Sequence, residues 1–154
     1  MKNNIEQPEI KNTKEALGQL TELAKSNQDG DWEIIDGKLD NYSDEEEFLK
    51  WSKENLNNED SGLRDLAASI LERSKHDLGD SDVDNLISLM NENDEKNPYP
   101  SFRAACALAI RCKEKRVEKI TKDVIDKLEL FVQDDSVSEI AKKYLEKIKT
   151  SNTS

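Results

Sequence analysis

One stretch constrains this chain more than any other: Ser101–Cys112, which reads SFRAACALAIRC. An apolar residue is followed by Arg, then by small residues and aliphatics at helical spacing. The same order occurs earlier as Leu63–Leu71, LRDLAASIL, and later in worn form as Val137–Leu145, VSEIAKKYL. Alignment puts Leu63, Phe102 and Val137 at one position, with separations of 39 and 35 residues. Ala67, Cys106 and Ala141 share a second position, and Leu71, Ile110 and Leu145 a third. Apolar residues three and four apart lie on one face of an α-helix. The small residue in the middle of each copy lets a neighbouring helix approach closely. Each copy also follows another amphipathic segment after a short turn. A helix pair that recurs at this period is the pattern of an α-solenoid.

Start and stop signals divide the chain accordingly. Asn12 or Thr13 caps a helix over about 12–26 that carries Leu17, Leu20 and Leu23 on one side. Residues 27–43 contain Gly30 and Gly37 and read as a short helix or an irregular segment around Trp32, Ile35 and Leu39. Ser43 and Glu46 have capping-box spacing, which predicts a helix from there to about 56. Asp60 or Ser61 caps the next helix, over about 61–75. Ser81 caps another after the turn at Gly79. Pro100 suits the first turn of a helix that runs to about 112. A single helix over about 117–133 and a last one over about 136–149 follow, joined at Asp134-Asp135. Residues 1–11 read as a flexible N-terminus and 150–154 as a flexible tail around one domain, 12–149.

The carrying residues are Asp60, Leu63-Arg64, Ala67-Ala68 and Leu71 in one copy, and Phe102-Arg103, Cys106-Ala107 and Ile110 in the next. The third has Asp134-Asp135, Val137, Ala141 and Leu145. In this pattern the chain resembles HEAT repeats, including the variants of phycobilisome-lyase-like proteins, over roughly residues 44–149. Ser138 stands where the repeat Arg would be, and Asn-Pro-Tyr-Pro replaces the turn Asp of the second copy. The resemblance implies an all-α fold, an α-solenoid of about three antiparallel helix pairs with a diverged N-terminal helical segment. It also implies that Arg64 and Arg103 are structural, bridging to turn carboxylates or carbonyls.

Charge narrows the partners. The net charge is −11, and residues 29–60 carry twelve Asp or Glu against three Lys. Such a chain is a poor non-specific binder of nucleic acid and electrostatically favours a basic protein. Arg111, Lys113, Lys115, Arg116, Lys119 and Lys122 gather at one helix junction, but no aromatic is interleaved to stack bases. Nothing approaches the run of ~20 apolar residues that a membrane span needs. The start of the chain lacks the apolar core of a secretory signal, so a cytoplasmic location is the default.

No catalytic, cofactor or metal pattern stands out. His76 is the only histidine, and Asp44–Glu47 lacks the spacing and the turn glycine of a calcium loop. The cysteines, six apart at 106 and 112, fall on different faces of one helix. Cys106 takes a core position. Attention falls instead on the outer face of the second helices, expected to line the concave side: Asp65, Ser69 and Glu72, then Ala104, Leu108 and Arg111. Tyr99, stiffened between Pro98 and Pro100, adds a preorganised contact. The expected function is a non-enzymatic interaction module that docks a partner on this face, in its sharpest form an acidic inhibitor or immunity-type protein for a basic partner. The alternatives are an enzyme or enzyme subunit resembling HEAT-like bilin lyases or DNA-alkylation-repair glycosylases, and a structural protein that self-associates through its ends.

Overall fold

A computed structural model describes residues 12–25, 32–93, 96–111 and 115–152, with backbone alone at 115–116 and 151–152. The described residues are all-helical and contain no strand. In chain order the helices are α1 (Thr13–Ala24), α2 (Trp32–Tyr42), α3 (Glu46–Asn55), α4 (Ser61–Arg73) and α5 (Asp80–Met90). They continue with α6 (Tyr99–Ala109), the single turn α7 (Lys115–Glu118), α8 (Thr121–Phe131) and α9 (Ser138–Asn152).

Most helix starts follow from local chemistry. The Asn12 carboxamide accepts the Glu15 N–H at 3.0 Å, and the Asp60 carboxylate accepts the Leu63 N–H at 3.2 Å. Each side chain satisfies one of the donors that a helix leaves open at its N-terminus. Pro100 sits in the first turn of α6, where its missing N–H costs nothing. Several expectations change. Ser43 does not cap α3; its hydroxyl turns back onto the Leu39 carbonyl at 2.5 Å, so α3 starts at Glu46 with Glu45 as its cap residue. α5 begins one residue before Ser81, behind Gly79, whose N–H is held by the Asp82 carboxylate at 3.1 Å. The single helix expected over 117–133 is broken at Lys119-Ile120, so that α8 begins at Thr121. The segment 32–42, which the sequence left between helix and irregular chain, is the regular helix α2. α9 runs to Asn152, beyond the predicted tail boundary. The expectations for residues 1–11 and for Cys112 lie outside the described residues.

α3 packs on α4, α5 on α6 and α8 on α9. The second members also meet, α4 against α6 and α6 against α9. α6 is the hub, and every residue from Pro100 to Ala109 is buried. Four alanines and Cys106 let its neighbours come close on several sides, while Phe102 fills the end of the core against Phe131, with ring centres 4.7 Å apart. α4 is a shared wall. Leu66 and Ile70 face a first core with Leu20 of α1, Ile35 and Leu39 of α2 and Phe48 of α3. Ala67, Ala68 and Leu71 face a second core that runs from Leu49 to Ile148 of α9.

Candidate functional site

The side chains singled out on the second helices lie inside the protein. Asp65, Ser69, Glu72, Ala104, Leu108 and Arg111 are all buried, where the sequence pattern placed them on an outer face. Leu108 and Ala104 belong to the larger core. Tyr99 is half-buried, sets its ring at a tilt against Phe131, and donates its hydroxyl hydrogen bond to Asp134 at 2.9 Å. That bond comes first in holding its phenol above the ordinary value, with burial next.

Asp65, Ser69 and Glu72 lie along one face of α4 at helical spacing. Arg103 of α6 lies between the carboxylates. Its Nη1 donates to Glu72 Oε1 at 3.0 Å, and its Nε stands 3.7 Å from Asp65 Oδ1 without a hydrogen-bond partner. The second oxygen of Glu72 accepts the Tyr144 hydroxyl of α9 at 2.5 Å. On the other side Arg73 reaches Asp36 and Asp40 of α2 at 3.1 and 3.3 Å and approaches Glu72 at 3.8 Å. One network thus joins α2, α4, α6 and α9. Arg103 does not tie turns together, as the repeat pattern implied, but neutralises carboxylates of the preceding second helix.

Burial sets the electrostatics. It pushes the Asp65 carboxyl up to about 6, against the opposing pull of Arg103 and the Ser69 hydrogen bond. Burial alone would lower the Arg103 guanidinium, but Glu72 and Asp65 overcome it and the cation is held more firmly than usual. Burial and then Glu72 hold the Tyr144 phenol well above its ordinary value. The Cys106 thiol is raised by burial and by Glu72 as well. The thiolate is the nucleophile, so Cys106 is an inert core residue, as its position in the repeat indicated. In a Cys112→Ser background the native protein should react with a thiol reagent more slowly than the denatured chain by about a hundredfold or more. Labelling of the native protein as fast as the denatured chain would show that the α6 core opens freely.

Arg64 and Arg111 serve turns. Arg64 donates to the carbonyls of Asn58 and Glu59 at 2.7 and 3.1 Å and pairs with Glu92 at 3.1 Å. Arg111, expected at the rim of a docking patch, forks onto four carbonyls. Nη1 reaches Leu71 and Ala107 at 3.0 and 2.9 Å, and Nη2 reaches Ser74 and His76 at 3.3 and 3.2 Å. Asp44 adds to this corner by accepting the Lys75 N–H at 2.8 Å. It thus braces the turn that follows α4 while remaining exposed. The His76 side chain is exposed beside it.

Two clefts open on the described surface near these elements. One of about 770 Å³ lies between the start of α3 and the turn after α4, lined by Asp44, Glu45, Glu46, Leu49, Lys50, Lys53 and His76. Another of about 320 Å³ lies beside the Pro-Tyr-Pro segment, between Pro98, Phe131 and the exposed Leu130. Among the described residues no three His, Cys, Asp or Glu side chains converge as a metal site would require, and no helix is long and apolar enough to cross a membrane. No family model matches the chain, and no curated protein or solved structure matches it either.

The sequence missed the pairing partners, Tyr144 above all. A signal for Arg103 was present. An acid–Ser–acid stripe along one second helix faces the arginine of the next, one repeat later, and such complementarity between adjacent helices marks an internal pairing as readily as a wet face.

Proposed function

We propose that this chain is a non-enzymatic protein-interaction module, a short α-solenoid of HEAT-like helix pairs, that docks a basic protein. Its repeat pattern and the succession α3/α4, α5/α6 and α8/α9, with α4, α6 and α9 in contact, support the solenoid reading. The single observation that carries the docking reading is the concentration of exposed carboxylates on α2, α3 and their flanks. Glu33, Asp40, Asp44, Glu46, Glu47, Glu54 and Glu59 are all exposed there. The second-helix face is filled by the chain's own network, so the contact surface lies on this acidic side. Such a surface acts mainly by steering encounter and fixing orientation, and salt weakens it. The side chain of Ile34, about half exposed among these acids, offers an apolar anchor.

A capture experiment compares the wild-type chain with the combined variant Asp40→Asn, Glu46→Gln, Glu47→Gln and Glu54→Gln. None of these four is buried. One stoichiometric basic protein is expected on the wild type at about 50 mM salt, released by about 500 mM, and bound at least about tenfold more weakly by the variant. Retention of the same partner by the variant at equal strength, or an acidic partner, would overturn the reading.

A further inference from the structure

Asp65 is the least satisfied member of the buried network. Glu72 has Arg103 at 3.0 Å on one oxygen and Tyr144 on the other. Asp65 has the Ser69 hydroxyl at 3.3 Å and a guanidinium Nε at 3.7 Å that does not complete a hydrogen bond. A buried carboxylate with so little compensation favours its neutral form. The groups that face it act in the same sense or are already committed. Glu72 on its own helix and Asp36 of α2 repel its charge, and Arg103 of α6 is shared with Glu72. Cys106 and Tyr99 of α6 both feel its charge, and Tyr144 of α9 reaches it through Glu72.

We propose that Asp65, Arg103, Glu72 and Tyr144 form a proton-gated latch that sets how firmly α9 is held against α6 and α4. With Asp65 neutral, the guanidinium is free to close fully on Glu72, whose other oxygen holds Tyr144. With Asp65 charged, one cation divides between two buried anions, and the hold on α9 loosens. The sign follows from linkage. The folded Asp65 titrates near 6, above the 3.8 of an open chain. Its contribution to stability is therefore full below about pH 4 and is lost as the pH rises through about 6.

Amide exchange of the full chain at pH 4.5 to 7.5, corrected for intrinsic rates, reads this directly. Protection in α9 and α6 is expected to fall with rising pH by about tenfold or more, with a ceiling near a hundredfold set by the size of the titration shift. In Asp65→Asn the pH dependence should flatten. In Tyr144→Phe it should disappear from α9 while α6 keeps it. Carboxyl carbon chemical shifts of the wild-type chain give a readout that needs no substitution, with a midpoint near 6 expected for Asp65. A midpoint below about 4.5, or a pH profile of α9 unchanged in Tyr144→Phe, would overturn the latch.

Discussion

Replacing Arg103 with alanine is expected to destabilise the protein by about 3–5 kcal/mol, because it leaves two buried carboxylates without their cation. For a chain of this length that lowers the melting temperature by roughly 10–20 °C. Desolvation of Asp65 and Glu72 is already met by their positions, and Arg103 is the group that offsets it. The loss should grow with pH. In the variant Asp65, already raised by burial, loses the opposing pull of Arg103 and takes up its proton more readily, so the deficit is smaller near pH 4.5 than at pH 7.5. A repair is expected as well. Combining Arg103→Met with Asp65→Asn and Glu72→Gln should recover much of the loss, since a neutral packed cluster is often as stable as a buried ionic one. Denaturant unfolding of the three proteins decides the matter. An Arg103→Ala chain as stable as the wild type would mean that water, not the guanidinium, compensates these acids.

Arg111→Ala is expected to cost about 2–4 kcal/mol, with Arg111→Lys recovering little of it. The guanidinium satisfies four carbonyls at once, three of them on the end of α4 and the turn beyond it. Charge-assisted hydrogen bonds of this kind are the stronger class, and a buried carbonyl left unmet carries its full desolvation cost. A lysine is a point donor and does not reproduce the fork. Urea unfolding gives the magnitude, and faster amide exchange confined first to residues 71–79 would locate it. A variant of unchanged stability that instead binds a partner more weakly would return Arg111 to the docking surface where the sequence pattern put it.

The helices were legible because their apolar residues recur at 3–4 residue spacing over several turns, and because Asn12, Asp60 and Pro100 mark their starts plainly. α2 was harder to see. Its apolar stripe is only Ile35 and Leu39 with Trp32 alongside, and Gly37 interrupts it. Ser43 misled because its hydroxyl has two competing uses, capping the next helix or closing the last turn of the previous one, and the structure takes the second. The break at Lys119-Ile120 has no proline or glycine to announce it.

The site was legible only as a set of positions. Asp65, Ser69 and Glu72 do share a face, as their spacing requires, but Leu108 lies in the larger core and Arg111, beyond the end of α6, binds carbonyls at the end of α4 and the turn after it. A binary pattern of polar and apolar residues assigns such a stripe to water. Here it faces Arg103, which the stripe on α4 could have signalled, and Tyr144 of α9, which nothing within α4 or α6 reveals. α6 illustrates the same limit. A helix buried on all sides has no wet face, so its outer edge cannot be found by periodicity.

The shared position of Glu72 has a further consequence. A row of helices held only by nearest neighbours frays independently at its two ends. In this chain Asp36 of α2 is joined through Arg73 to Glu72, and Glu72 is joined directly to Tyr144 of α9. The first and last helical layers therefore meet at a single carboxylate. The described helices are expected to melt as one cooperative unit, with coincident transitions in α2 and α9 by amide exchange.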